Sequence, residues 1–329
     1  MTLRWGILST ARINDKFIAG CAGSDLVTVT AVASRDIARA RRYAEEHRIE
    51  RAHGSYEALL ADPEIDAVYI SLPNAMHLDW TRRALQAGKH VLCEKPLSRR
   101  RADVTAAFDL AQRQGLILSE AFMYRHNPQT ERLAALVADG AIGRLRLITA
   151  AFGFSLGDGA DVRMSIALEG GALMDVGCYC VNAVRLLAGE PRRVTGQQVV
   201  GGDGIDVAFV GTLALADEVT AHFDAGFVFA PRSALEVVGE TGTLVVADPW
   251  RCATPGIELH TGDGVQTIAV PRADSYRLEA EDVAAAVGGE REPRLGRIDA
   301  VGQAATIEAL YASAAAGGTE VDRMDNQDG

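Results

Sequence analysis

Several things this chain lacks narrow its function before any motif is read. Five cysteines in 329 residues, an odd number and widely spread, do not make a disulfide framework. Cys178 and Cys180 are separated by one residue rather than the two of a redox pair. No second pair of ligands accompanies them for zinc, so both read as small apolar residues. Positive charge is in deficit: the formal net charge of -11 argues against nucleic acid or an anionic membrane as partner. It leaves an anionic cofactor open, because cofactor pockets are locally basic whatever the total. No stretch reads as long and apolar enough to span a bilayer. The first residues enter a strand without the layout of a signal peptide, so the cytoplasm is the expected compartment. There are no internal repeats.

What is present describes a soluble globular chain. Apolar residues make up 48% and charged residues 23%, and the length accommodates two domains with a large core. Over the first 120 residues strands and helices alternate. Strands are expected at Leu3–Leu8, Leu26–Ala33, Asp66–Ile70, His90–Cys93 and Leu116–Leu118. Helices are expected at Ala11–Cys21, Asp36–His47, Ala75–Ala87 with Asn74 as cap, and from Ser98 as cap to Gln114. This alternation predicts βαβ units and a doubly wound parallel sheet. Beyond Glu120 the pattern changes. A helix near Gln129–Ala138 precedes a long alternating strand, Leu145–Phe154, and a helix at Asp175–Leu187. Strands joined by hairpin-length links follow, which predicts a large, mostly antiparallel sheet. A helix at Arg297–Ala315 closes the domain. The expected organisation is a dinucleotide-binding domain over 1–121, an α+β substrate-binding and oligomerisation domain over 122–316, and a disordered polar tail over 317–329.

The most informative residues are Glu94-Lys95-Pro96, where a buried strand runs out. The carboxyl end of a parallel strand faces the ligand crevice of such sheets, so Lys95 places a cation on a rigid platform there. A solvated loop lysine is the competing reading. The opening turn, Gly6-Ile7-Leu8-Ser9-Thr10-Ala11-Arg12-Ile13, is a degenerate G-x-G-x-x-A with Ser9 in place of the second glycine. Small residues there admit a pyrophosphate to a helix N-terminus, which makes Gly6 and Ser9 to Ile13 candidate cofactor contacts. An ordinary small-residue turn is the alternative. The second strand ends Ala33-Ser34-Arg35-Asp36. Ser34 and Arg35 suit a ribose 2′-phosphate, favouring NADP over NAD. Asp36 is either a ribose ligand or, preferred here, the cap of the next helix. Leu72, Pro73, Asn74 and His77 lie at the same edge and join the candidate cofactor contacts, together with Glu94. No metal site is expected, since His77 has no second ligand at suitable spacing.

Asp175 and Tyr179 are four apart and share one face of a helix. Gly170-Gly171 just before them permits close backbone approach by a ligand. A carboxylate and a phenol on one face, with a lysine to depress the phenol's pKa, make an acid–base set. The alternative is a core tyrosine and a helix cap.

Together these motifs resemble the glucose–fructose oxidoreductase and inositol dehydrogenase (Gfo/Idh/MocA) family. Glu120-Ala121-Phe122-Met123-Tyr124-Arg125-His126-Asn127-Pro128 resembles its domain junction, and Gly171 to Tyr179 its active-site helix. The resemblance covers nearly the whole chain and is nearest the NADP-dependent D-xylose and dihydrodiol dehydrogenases. It implies a carbohydrate-type dehydrogenase in which Lys95 is the active-site cation, Tyr179 the proton donor or acceptor, and Asp175 the residue that orients them. It also implies that Arg163 and Tyr276 contact NADP. The open face of the large antiparallel sheet is expected to be covered by another subunit, making a homodimer or homotetramer. Glu169 departs from the family's three-glycine run. A nucleotide-sugar ketoreductase, a cofactor-dependent glycosidase of the same fold and a non-catalytic NADP sensor are the alternatives.

Overall fold

The computed structural model describes residues 2–157 and 161–323. The chain forms two compact units. The first comprises Met1–Ser98, Ala102–His126 and Asp274–Val301; the second comprises Arg99–Arg101, Asn127–Ala273 and the residues from Gly302 onward.

The first unit is built on six parallel strands: β1 (Leu3–Leu8), β2 (Val27–Ala33), β3 (Arg51–His53), β4 (Ala67–Ile70), β5 (His90–Glu94) and β6 (Leu118–Ala121). Their order is β3-β2-β1-β4-β5-β6. The helices between them are α1 (Asn14–Ala22), α2 (Ile37–His47), α3 (Tyr56–Leu60), α4 (Asn74–Gln86) and α5 (Arg101–Gln114). Ile7, Leu8, Val68, Ile70, Val91 and Leu92 expose nothing, as strands covered on both faces require. The strand order reverses between β1 and β4, so the ligand crevice of such a sheet opens at their carboxyl ends, above Leu8 and Ile70.

Local signals account for several boundaries. Asp36 caps α2 by accepting from Ala38 N at 2.9 Å and from Arg39 N, as the sequence reading preferred. Asn74 does not cap α4; Pro73 stands at the N-cap and Asn74 is the first helical residue. Residues 11–13 form a turn, so α1 begins later than expected. Leu116 is consumed in closing α5, its N–H bonding Ala111 O after the left-handed Gly115, which delays β6 to Leu118.

The larger correction concerns α8 (Ser275–Val287), which the strand-dominated reading of this region overlooked. It is capped by Asp274 and belongs to the first unit, not to a second domain running uninterrupted from residue 122. The reason is packing. Ala280 and Val283 complete the cluster that holds Trp5, Phe17 and Tyr69, where Phe17 stacks on Tyr69 at 4.1 Å. Gly20 of α1 admits the α8 backbone; a Cβ there would lie 2.7 Å from Arg277 N.

The second unit is a nine-stranded sheet: β7 (Leu145–Ser155), β8 (Arg193–Val200), β9 (Asp206–Ala214), β10 (Thr220–Gly226), β11 (Val228–Gly239), β12 (Gly242–Val246), β13 (Ile257–Thr261), β14 (Gly264–Ile268) and β15 (Val321–Asp322). The order is β14-β13-β12-β11-β7-β10-β9-β8-β15, antiparallel except for the parallel pair β10–β7. The unit's helices include α6 (Pro128–Ala138), α7 (Cys178–Ala188) and most of α9 (Arg297–Ala315). Tail residues Val321 and Asp322 are ordered by pairing with β8; the expectation of disorder for 324–329 lies outside the described residues. The expected helix at Asp175 is a π-turn, Leu173–Gly177, running into α7. One segment, Ile166–Ala188, does meet the length and composition of a membrane span, contrary to the sequence reading, but most of it is buried inside this unit. All five cysteines are free and buried.

Candidate active site

The first unit assembles its candidate residues around the switch point. Ser9 adopts φ 139°, the conformation a glycine would take in the second position of the fingerprint. Its hydroxyl makes the substitution workable: Oγ lies 2.8 Å from Ser71 Oγ, donates to Ser71 O and accepts from Ala11 N. The turn after β1 is thereby tied to the turn after β4. Helix α1 then starts with no side chain capping it. An uncapped helix N-terminus behind a tight turn of small residues fits an anionic pyrophosphate. Thr10, Ala11 and Ile13 are half-buried there and Arg12 is exposed. Gly6 also serves packing: a Cβ there would lie 2.6 Å from Leu59 Cδ2, so glycine lets α3 close on β1.

At the tip of β2, Asp36 is committed to its cap, while Arg35 is exposed and interacts with Tyr56. Ser34 lies buried at the base of this tip and accepts from Asp36 N. The arrangement commits the carboxylate to the helix cap and leaves the guanidinium exposed at the tip of β2. Leu72 is buried, so it offers backbone only; Pro73 and Asn74 are half-buried. His77 is fully buried, which removes it from the direct cofactor contacts. Its Nε2 lies 2.7 Å from Leu72 O and its Nδ1 2.9 Å from Pro96 O, so it is packed between the β4 turn and the Lys95-Pro96 turn, and as a neutral imidazole its single N–H donates to one of the two carbonyls. Burial holds its pKa below the ordinary imidazole value, and Lys95 adds to the effect. Glu94 accepts from Tyr69 Oη and from Lys95 N, which fixes the backbone from which the half-buried Lys95 projects. Tyr276, the second residue of α8, packs near α1, with Lys16 Nζ 5.8 Å from its ring centre.

The second unit holds the other candidates. Asp175 and Tyr179 are half-buried while Leu173, Met174, Val176, Gly177 and Cys178 between and before them are buried. The two therefore share the open side of the π-turn and α7. π-turns are rare and concentrate at functional sites. The Tyr179 ring meets Phe152 edge-on at 5.5 Å and Trp250 at a tilt at 6.0 Å, and Phe152 stacks on Trp250 at 5.9 Å. Trp250 is locked by Nε1 donating to Ala151 O at 2.9 Å. Trp250 is buried and backs the cluster, while the half-buried Phe152 and Tyr179 leave ring surface that suits the C–H face of a sugar or cyclic diol. The strand alternation in β7 puts Phe152 and Phe154 on one side and could have flagged them; Trp250, in a loop, carries no sequence signal.

Arg163 is gripped by both oxygens of Asp161, at 2.9 and 2.7 Å, and lies 3.7 Å from Asp175 Oδ2, over the ring of Phe154. These carboxylates raise its pKa further. It orients Asp175 as well as facing the open side. The glycines before the π-turn do not clear a path for a ligand. A Cβ at Gly170 would lie 2.2 Å from Arg163 O, and one at Gly171 2.2 Å from Asp206 Oδ1. The space is taken by the protein's own groups. Asp206, which the sequence reading did not single out, fills the space beside Gly171 and accepts from Leu173 N.

Comparison with known proteins agrees with this geometry. Residues 3–122 match the GFO_IDH_MocA oxidoreductase family with its NAD-binding Rossmann fold, and residues 130–245 match the GFO/IDH/MocA C-terminal domain. The chain is 42% identical over 321 residues to D-xylose 1-dehydrogenase (NADP(+)) 2 of Haloferax volcanii, covering 96% of this chain and 98% of that one. It is 38% identical to trans-1,2-dihydrobenzene-1,2-diol dehydrogenase of Xenopus laevis, covering 75% of this chain and 76% of that one. Among solved structures, a 3-ketoreductase from Actinomadura kijaniata in complex with NADP and TDP-benzene superposes with TM-score 0.89 at 32% identity, covering 95% of this chain and 98% of that one. Solved variants of that reductase replace one tyrosine by phenylalanine and one lysine by alanine or glutamate.

Proposed function

The chain belongs to the GFO/IDH/MocA oxidoreductase family, and from that premise we propose that it is an NADP-dependent dehydrogenase acting on a carbinol of a sugar, polyol or cyclic diol. The carrying observation is the half-exposed Asp175–Tyr179 pair on an otherwise buried turn, set against Phe152 and Trp250. The most informative relative in substrate terms, the Haloferax D-xylose 1-dehydrogenase, spans almost the entire chain.

A bound nicotinamide would supply the hydride acceptor for oxidation of the carbinol carbon, or the hydride donor for the reverse reduction. The rest falls to the protein. In oxidation the Tyr179 phenolate takes the hydroxyl proton, and the Lys95 ammonium stabilises the developing alkoxide. General acid–base help of this kind contributes about 10²–10⁴-fold. Asp175, paired with Arg163, holds the hydroxyl in line. The substituted tyrosine and lysine of the solved ketoreductase have the same spacing along their chain as Lys95 and Tyr179, which supports these roles. Thr10 to Ile13 and the N-terminus of α1 bind the pyrophosphate, Ser34 and Arg35 the 2′-phosphate, and Tyr276 and Arg163 further parts of NADP.

The solved complex with a TDP compound favours one second reading, a nucleotide-sugar ketoreductase using the same residues in the reducing direction. A substrate panel separates the two. D-xylose and cyclic diols turn over with NADP under the first reading, whereas only a 3-keto nucleotide sugar turns over under the second. We assign the protein to the cytoplasm and expect a homodimer or homotetramer. The supporting observation is the open side of the nine-stranded sheet, where Val210 of β9 is 48% exposed and the outward residues of β9 and β10 alternate with buried ones. Analytical ultracentrifugation finding only monomer would contradict this.

A further inference from the structure

We propose that Asp206 is the positioning residue of the acid–base pair, holding the π-turn that carries Asp175 and leads into Tyr179, with Tyr311 as its side-chain donor. The inference rests on the assignment of Tyr179 as proton acceptor.

Asp206 opens β9 and is 4% exposed. Its Oδ2 accepts from Leu173 N, the first residue of the π-turn, at 2.7 Å. Its Oδ1 accepts from Tyr311 Oη of α9 at 2.9 Å. A helix start leaves backbone N–H groups without internal partners, and a side chain from within the neighbouring residues normally serves them. Here no such side chain caps the turn. The carboxylate comes instead from a strand 33 residues further along. The close approach is built into the backbone: Gly171 has φ 124°, and any Cβ there would strike Asp206 Oδ1. Tyr311 is itself held, with Phe209 edge-on at 5.8 Å and the Arg99 guanidinium 5.7 Å from its ring. Arg99 in turn lies 3.8 Å from Glu169.

The charges facing the pair are few. Arg99 acts on Tyr311 from one side and Cys178 from the turn, and Glu169 partly offsets Arg99. The phenol is pushed well above its ordinary value by burial and remains a donor. Burial pushes Asp206 up to about 6 against the pull of its donors. As a carboxylate it accepts at both oxygens. Protonated, one oxygen becomes a donor, and Tyr311 must reverse or Leu173 N–H loses its acceptor.

The test uses Asp206→Asn, Asp206→Ala, Tyr311→Phe and Tyr179→Phe in the full-length protein, with D-xylose and NADP as probes. Three readouts are taken: kcat across pH 5–9, NADP affinity by fluorescence titration, and hydrogen exchange over residues 171–179 without cofactor. Asp206→Ala is expected to lower kcat by about tenfold to 100-fold, since small misplacements cost that much. NADP affinity should stay within about threefold, and exchange over 171–179 should rise about tenfold or more. Asp206→Asn, which keeps the acceptor for Leu173, should restore kcat to within about threefold of wild type. It should also remove an acid limb near the Asp206 pKa. Tyr311→Phe should move that limb upward, and it decides the matter if Asp206→Ala does not fold. Unchanged kcat in Asp206→Ala and Tyr311→Phe, with Tyr179→Phe inactive, overturns the positioning role alone. Full turnover in Tyr179→Phe overturns the acid–base assignment and this inference with it.

Discussion

In the proposed mechanism Lys95 and Tyr179 carry different parts of one reaction, and their substitutions should fail in a common way. Lys95→Met and Tyr179→Phe are each expected to lower kcat by about 10²–10⁴-fold while changing NADP affinity far less. Steady-state kinetics with fluorescence titration of NADP checks this. Arg35 should behave in the opposite sense. It is exposed at the tip of β2 because Asp36 is spent on capping α2. A charge-assisted hydrogen bond is worth about 1.5–3 kcal/mol, so Arg35→Ala should weaken NADP binding by about 10- to 150-fold and leave NAD nearly unchanged. Asp206 adds a pH signature to stability. Its folded pKa, about 6, lies above the ordinary 3.8, so the folded state binds the proton more tightly. Its contribution is therefore fullest in acid and is lost as pH rises from about 4 through about 6, by up to about 3 kcal/mol. Asp206→Asn should flatten that part of the profile in denaturant titrations.

At the scale of elements, the π-turn Leu173–Gly177 and the strand behind it act as one device. Gly171→Ala tests it from the backbone side. The left-handed φ alone costs about 1–3 kcal/mol, and the collision with Asp206 adds to that. Loss of thermal stability together with faster exchange over 171–179 is the expected outcome. What the sequence disclosed at this scale follows from local chemistry. Asp36, Gly115 and the apolar runs of β4 and β5 announce themselves, because caps, left-handed glycines and doubly covered strands depend on near neighbours. Asp206 was invisible because its partners, Leu173 and Tyr311, are 33 and 105 residues away. The packing roles of Gly6, Gly170 and His77 were not legible for the same reason: the atoms that crowd them come from elsewhere in the chain.

At the scale of the whole molecule, the alternation of strand and helix disclosed the parallel sheet, and the hairpin spacing disclosed the antiparallel one. The return of α8 to the first unit was not legible, since nothing local marks Ala280 and Val283 as partners of Trp5 and Phe17. That return brings Tyr276 into the dinucleotide-binding unit from a late position in the chain. The central claim concerns hydride transfer, and one measurement addresses it most directly. The purified protein is given D-xylose with NADP or with NAD, and reduced-nicotinamide absorbance is followed for wild type and Tyr179→Phe. The account predicts NADP-dependent turnover in wild type and its near loss in the variant. No turnover of D-xylose, other aldoses, polyols or cyclic diols, despite tight NADP binding, would contradict it.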